Sequence, residues 1–243
     1  MRSVAVLLAS ALALAGCGSA PSADRLMVFA AASLTRVFTE MSAAAPAADS
    51  DTPVDFTFAG TADLVAQLTA GARADVFATA DAATMEKAAA AGLVTTSVAF
   101  ATNTLTIAVA PGNPKQIRGL QDLNSGTVVA CAPQVPCGAA LARIEAATGV
   151  NLDPVSEEAS VTDVLNKVVT GQADAGLVYV TDARAAGDAV TAVAFPQSAA
   201  APNTYRIAVT RDAVDPARAA RFVDLVTGPA GRDVLRRAGF GEP

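Results

Sequence analysis

The sequence predicts an α/β protein made of two lobes. Short apolar runs rich in β-branched and aromatic residues alternate with segments of helical periodicity, a pattern typical of parallel sheets covered by helices. About 220 residues follow this pattern, a length that suits two α/β lobes better than a single sheet. With 52% hydrophobic and 16% charged residues, the chain can bury a large core.

Three βα units are predicted first, and a second set of elements follows them. Strands of the first set are expected at residues 26–30, 54–58 and 75–79, and helices at 33–45, 61–70 and 81–91. Strands of the second set are expected at 105–109, 127–130, 175–179 and 205–209, and helices at 137–148, 161–170, 216–226 and 229–237. The boundary between the two sets is placed near Asn103.

The first 24 residues predict a secretion signal and a lipid anchor. A positive start precedes an apolar run at residues 4–13 that is too short to span a bilayer, which indicates a signal peptide over residues 1–16. The motif LAGC at residues 14–17 resembles the bacterial lipoprotein box, in which the cysteine is lipid-modified and becomes the first residue. We therefore expect a lipid on Cys17, a tether over residues 17–24, and a body on the extracytoplasmic face of the cell membrane. The alternative is an ordinary signal peptide with an unmodified thiol.

The composition argues against several classes of function. The absence of histidine removes imidazole metal sites and the histidine-dependent nucleophiles. The 17 basic residues are scattered, and against 23 acidic residues they leave a net charge of −6, so we expect no nucleic-acid partner. The motifs G-x-S-x-G, Walker G-x-x-x-x-G-K and S-x-x-K are also missing, and we expect a binding protein rather than an enzyme.

Small hydroxyl residues stand where several predicted helices begin. Ser33 and Thr61 each follow a predicted strand, Ser160 precedes the helix predicted at 161–170, and Cys137 and Gly138 open another helix. Helix N-capping explains each serine or threonine taken singly. Several helix N-termini at the carboxyl ends of strands, however, form the usual ligand crevice of an open α/β sheet and attract anions. Together they indicate an oxyanion site.

Five motifs carry a resemblance to a known family. They are FAAASLT at 29–35, FAGT at 58–61 with Leu64 and Gln67 following, AGARADVFATAD at 70–81, VPCG at 135–138 and GLVY at 176–179. In this order and spacing, the chain from Leu26 to Phe240 resembles the extracytoplasmic molybdate-binding proteins of ABC importers.

The resemblance implies a two-lobed periplasmic-binding-protein fold of type II, with two crossover strands and a mostly parallel sheet flanked by helices in each lobe. Lobe 1 would comprise residues 25–104 and 204–243, and lobe 2 residues 105–203. The implied partner is an ABC permease, and the protein would act as a monomer without a cofactor. The implied donors to a dehydrated molybdate or tungstate ion are the hydroxyl and backbone N–H groups of Ser33 and Thr61, the backbone N–H groups of Cys137 and Val161, and the phenol O–H of Tyr179.

The donor set itself favours a fully deprotonated oxyanion. Hydrogen phosphate carries a proton and needs an acceptor that these donors lack. Sulfate has the same charge as molybdate and is smaller, so only the size of the cavity can exclude it. The alternatives are therefore a binding protein for sulfate or thiosulfate and, from other classes, a secreted enzyme or a purely structural surface lipoprotein.

Five residues depart from the family pattern or add to it. Thr61 stands where the family usually has serine, and Asp63 in the same helix is expected to point to solvent. Arg206 is expected at the surface or hinge, with a charge donated to the cleft as the alternative. Cys131 and Cys137 are expected to form a disulfide in an oxidising compartment, with two free thiols as the alternative.

Overall fold

A computed structural model describes residues 25–44 and 53–243, and ten strands and eight α-helices lie within these ranges. The signal peptide, Cys17 and the tether that the sequence predicts lie outside the described residues. The strands are Leu26–Ala31 (β1), Val54–Ala59 (β2), Val76–Thr79 (β3), Val98–Asn103 (β4), Leu105–Val109 (β5), Val128–Cys131 (β6), Ser156–Glu158 (β7), Ala175–Tyr179 (β8), Thr191–Val193 (β9) and Asn203–Val209 (β10). The α-helices are Thr35–Ala44 (α1), Thr61–Thr69 (α2), Ala82–Ala90 (α3), Pro136–Thr148 (α4), Val161–Val169 (α5), Val180–Ala186 (α6), Pro216–Thr227 (α7) and Pro229–Ala238 (α8).

The described strands form two sheets, one in each lobe, and both are flanked by helices. The first sheet has the order β2-β1-β3-β10-β4, and the second has the order β7-β6-β8-β5-β9. In each sheet two neighbouring pairs are parallel and two are antiparallel, so the sheets are mixed rather than mostly parallel. The antiparallel pairs all involve β10 or β5, the strands that begin after the chain has passed from one lobe to the other. The predicted two-lobed α/β fold is confirmed.

The chain crosses between the lobes twice. It leaves the first sheet at the end of β4, passes Thr104, and enters the second sheet as β5. It returns after β9 and rejoins the first sheet as β10. The two crossings lie side by side, because Asn203 at the start of β10 pairs with Asn103 at the end of β4. This double crossing joins the two lobes.

Apolar packing fixes the helices against the sheets. In lobe 1, the ring of Phe38 on α1 packs against Phe56, Phe100 and Phe222, with ring centroids 5.6 to 6.3 Å apart. Edge-to-face and tilted aromatic pairs of this kind favour a single arrangement of the core. Within the described residues, no helix is long and apolar enough to cross a membrane.

In lobe 2, helix α5 presents an apolar stripe of Val161, Val164 and Val168 toward β8. Gly176 permits the close approach, because a Cβ there would lie 2.6 Å from a methyl group of Val164. This packing fixes where the N-terminus of α5 points.

Candidate functional site

A small cavity lies between the lobes, at the carboxyl ends of strands from both sheets. The centre of a water molecule can occupy about 20 Å³ of it, which is room for one small ion. Its walls are formed by Ala31, Ala32, Ser33, Ala59, Gly60, Thr61, Ala80, Val135, Pro136, Cys137, Ala159, Ser160, Val161 and Tyr179. The structure therefore brings the five residues expected to bind an oxyanion together in one place.

The wall from lobe 1 is made by two helix starts. Ser33 is the middle residue of a short 3-10 helix, Ala32–Leu34, that follows β1, and Thr61 is the first residue of α2. Their N-cap positions are Ala31 and Gly60, and neither start has a hydrogen bond from a capping side chain. N-capping thus does not account for Ser33 or Thr61, because neither occupies the N-cap. The uncapped N–H groups are available to an anion.

The wall from lobe 2 is made by two more helix starts. Cys137 is the second residue of α4, whose N-cap Val135 also provides no side-chain bond. Val161 is the first residue of α5, and here the N-cap Ser160 does accept a bond from the Asp163 N–H. That cap engages the third residue of the helix and leaves the N–H groups before it unused. Capping therefore explains Ser160 but not the other three helix starts.

A disulfide between Cys131 and Cys137 closes the loop that leads into α4. The two Cα atoms are 5.7 Å apart and six positions apart in sequence. The loop folds tightly against the helix start, since a Cβ on Gly138 would lie 2.0 Å from the Ala132 carbonyl oxygen. The crosslink holds the Cys137 N–H and the cavity-lining Val135 in one geometry.

Removing this disulfide should lower the stability of the protein. For the double substitution Cys131→Ser and Cys137→Ser, we expect unfolding to become easier by about 2 kcal/mol, because a short crosslinked loop restricts the unfolded chain. Denaturant titrations of wild type and the double variant, with a thiol count after alkylation, provide the measurement. Equal stability in the two proteins would contradict a structural role for the crosslink.

Tyr179 completes the wall from lobe 2 and belongs to a buried hydrogen-bond network. It is the last residue of β8, its side chain is 1% exposed, and its hydroxyl lies 2.5 Å from the Asn203 amide nitrogen. The neighbouring Tyr205 packs edge-to-face on it at 5.9 Å, and the Tyr205 hydroxyl lies 2.9 Å from Ser33 Oγ. Burial raises the pKa of both phenols above the usual value. Both therefore stay protonated and can donate.

The sequence alone did not identify Asn203 and Tyr205 as parts of the site. Both lie on β10, more than 20 residues after Tyr179 in the chain, and neither belongs to the motifs that indicate a helix start. A weak signal was present for Tyr205 alone, an aromatic residue at the start of the strand predicted at 205–209, whereas Asn203 lies before that predicted strand. Only the double crossing places them behind the cavity.

The electrostatic character of the site comes from neutral groups. Among the described residues, no charged side chain lines the cavity. Asp63 is exposed and lies in a neighbouring groove with Asp163, as expected for a residue pointing to solvent. Arg206 is half-buried and donates to the hydroxyl and carbonyl oxygens of Ser97 in lobe 1, so it contributes no charge to the cavity.

Comparison with known proteins gives the family. The sequence model of the family of bacterial extracellular solute-binding proteins matches residues 26–241. The chain belongs to this family. A relative named molybdate-binding protein ModA, from Mycobacterium tuberculosis, is 52% identical over 229 residues, covering 93% of this chain and 88% of the relative. ModA from Mycobacterium bovis matches to the same extent. These relatives are solute-binding proteins of transport systems and not enzymes, which confirms the expectation of a binding protein rather than an enzyme.

Two solved structures share the fold. The periplasmic molybdate-binding protein of Azotobacter vinelandii superposes with a TM-score of 0.79 at 23% identity, covering 90% of this chain and 100% of that one. The sulfate-binding protein SubI of M. tuberculosis superposes with a TM-score of 0.75 at 20% identity, covering 89% of this chain and 86% of that one. At these identities the likeness establishes the two-lobed architecture, and the bound ion must be argued from the site.

Proposed function

We propose that this member of the solute-binding family captures molybdate, and also tungstate, between its lobes and delivers the ion to an ABC permease. The observation that carries the proposal is the convergence of helix N-termini, three of them without a capping side chain, on a cavity with room for one small ion. The 52% identity to ModA proteins supports molybdate as the cargo. Molybdate is the transported ligand here, and the mechanism needs no cofactor.

Binding works by matching a dianion with neutral donors. Ser33 and Thr61 supply hydroxyl and backbone N–H groups from lobe 1, and Cys137 and Val161 supply backbone N–H groups from lobe 2. The Tyr179 O–H closes the shell. Hydrogen bonds to an ion are stronger than those between neutral groups, and the dry surroundings strengthen them further. Because the donors come from both lobes, the complete shell exists only when the lobes are closed.

The same shell accounts for selectivity. The shell consists of donors and has no acceptor for the proton that hydrogen phosphate carries, so it disfavours that ion. Tungstate closely matches molybdate in size and charge and should bind as well. Sulfate has the same charge and is smaller, so the size of the cavity has to discriminate against it. The alternative cargo is sulfate or thiosulfate.

Delivery follows from closure and from attachment to the membrane. Binding shifts the protein toward the closed form, and a permease that recognises this form receives loaded protein preferentially. A lipid on Cys17, followed by the tether over residues 17–24, would keep the monomeric body beside the extracytoplasmic face of the permease. The absence of a membrane-spanning helix in the described residues is compatible with this arrangement.

Removing single donors should weaken binding without unfolding the protein. We expect Ser33→Ala and Tyr179→Phe each to lower molybdate affinity about tenfold, because each deletes a hydrogen bond to an ion. Calorimetric titration of the body from residue 18 onward gives the affinity, and thermal unfolding without ligand checks the fold. Thr106→Val, which removes the hydrogen bond from a buried hydroxyl to the Val193 carbonyl away from the cavity, is the matched control.

Titrations with tungstate, sulfate, thiosulfate and phosphate complete this experiment. Binding of molybdate and tungstate alone supports the proposed cargo and the size filter. Binding of sulfate or thiosulfate in their place would retain the site and change the cargo. Unchanged molybdate affinity in both Ser33→Ala and Tyr179→Phe would contradict the assignment of the site.

A further inference from the structure

Behind the cavity, Tyr179 has a partner that can only donate to it. Asn203 is the first residue of β10 and is 1% exposed. Its amide nitrogen lies 2.5 Å from the Tyr179 hydroxyl oxygen and 3.0 Å from the Pro136 carbonyl oxygen. An amide nitrogen has protons and no acceptor site, so the phenol oxygen accepts this bond.

The two ends of the Asn203 amide cannot exchange places. A guanidinium nitrogen of Arg143 on α4 lies 2.6 Å from Asn203 Oδ1, and a guanidinium only donates. The Pro136 carbonyl only accepts. Reversing the amide would set donor against donor at Arg143 and acceptor against acceptor at Pro136. The partners therefore fix the amide nitrogen toward Tyr179.

We propose that Asn203, held by Arg143 and the Pro136 carbonyl, is a positioning residue that makes Tyr179 donate its proton into the anion cavity. The inference rests on the proposed function. A phenol has one proton, and when its oxygen accepts from Asn203, that proton is left for an acceptor on the other side. A bound dianion is the strongest acceptor there, ahead of the neutral Tyr205 hydroxyl.

The arrangement also brings a positive charge to bear on the ion from outside the cavity. Arg143 donates to Asn203, Asn203 donates to Tyr179, and Tyr179 donates to the ion, so every bond in the chain points the same way. Aligned hydrogen bonds polarise one another. The charged group itself remains at the surface, where the Arg143 side chain is exposed. A neutral cavity wall thereby gains a stronger donor without burying a cation.

A double-mutant cycle tests the inference. We expect Asn203→Leu to lower molybdate affinity about tenfold in a protein that has Tyr179, and less than about twofold in the Tyr179→Phe background. Arg143→Met removes the donor to Asn203 Oδ1, lowers affinity about threefold and shows the same dependence on Tyr179. Arg118→Met removes an exposed positive charge from the same lobe and leaves affinity unchanged.

A spectroscopic measurement distinguishes hydrogen-bond donation by Tyr179 from a purely structural effect of Asn203. Tyr179 and Tyr205 are the two tyrosines of the chain, and there is no tryptophan. Donation from Tyr179 to bound molybdate should shift the near-ultraviolet tyrosine absorption to longer wavelength. The shift should be smaller in Asn203→Leu and absent in Tyr179→Phe.

The outcomes separate this inference from the proposed function. If wild type binds molybdate but Asn203→Leu weakens binding equally with Tyr179 and with phenylalanine at that position, Asn203 acts only through the fold and the inference is wrong. If wild type binds none of the tetrahedral oxyanions, the proposed function is wrong and the inference falls with it. Coupling in the cycle together with the reduced spectral shift supports both.

Discussion

Replacing Gly60 by alanine should lower oxyanion affinity about 100-fold and leave the ligand-free protein folded. Gly60 precedes α2 in lobe 1, and a Cβ on it would lie 2.1 Å from the carbonyl oxygen of Ala159 in lobe 2. The obstacle is backbone, so it cannot turn aside as a side chain could. Separation of the lobes relieves the contact, and separated lobes no longer present a complete set of donors to one ion.

Backbone strain does not explain this expected effect. Gly60 has φ −56° and ψ 135°, which an alanine adopts readily. Gly119→Ala is the matched control, since a Cβ there meets nothing within 4 Å and φ is 179°. Calorimetric titration measures affinity in both variants. Wild-type affinity in Gly60→Ala would show that the closed contact between the lobes is not needed for binding.

The stability of the protein should fall as the pH rises toward neutrality, because of one buried carboxyl group. Asp182 lies at the start of α6 beside Tyr179, and its side chain accepts a hydrogen bond from the Tyr179 N–H. Burial raises the Asp182 pKa from 3.8 to about 7. Between these values the folded protein retains a proton that the unfolded chain has lost, so folding becomes less favourable as the pH increases.

Substitution of Asp182 by asparagine should remove this dependence. Asparagine keeps the acceptor for the Tyr179 N–H and cannot ionise. From about pH 5 to about pH 8 we expect wild type to lose about 3 kcal/mol of unfolding free energy relative to Asp182→Asn. Denaturant titrations at the two pH values measure the difference, with the exposed Asp63→Asn as a control. Parallel pH profiles of wild type and Asp182→Asn would contradict an ionising Asp182 in the folded state.

The sequence was sufficient to predict those parts of the structure that depend on local pattern. Strands β5 and β8 have the predicted bounds, and helix α5 begins at the predicted residue. The five donor residues were named from the resemblance to molybdate-binding proteins. They line one cavity because helix starts that follow parallel strands meet at the same side of a sheet. The disulfide between Cys131 and Cys137 was predicted from the oxidising compartment and is formed in the structure.

Elements that depend on distant partners could not be predicted in this way. Strand β4 was missed because its partner is β10, about 100 residues further along the chain. The short strands β7 and β9, three residues each, were missed as well, since each contains too few residues for a clear alternation. Helix α6 follows β8 without an intervening turn, so no turn signal marks its start. The hydrogen bond between Asn203 and Tyr179 was also missed, because it joins two residues that are distant in the sequence.

Anomalous diffraction from crystals grown with molybdate would show whether the ion binds in the cavity between the lobes. Data collected near the molybdenum absorption edge locate the metal without reference to the shape of the density. We expect one strong peak in the cavity bounded by Ser33, Thr61, Cys137, Val161 and Tyr179, with oxygen density within hydrogen-bond distance of their donors. A peak elsewhere, or a well-ordered closed protein with no peak in this cavity, would contradict it.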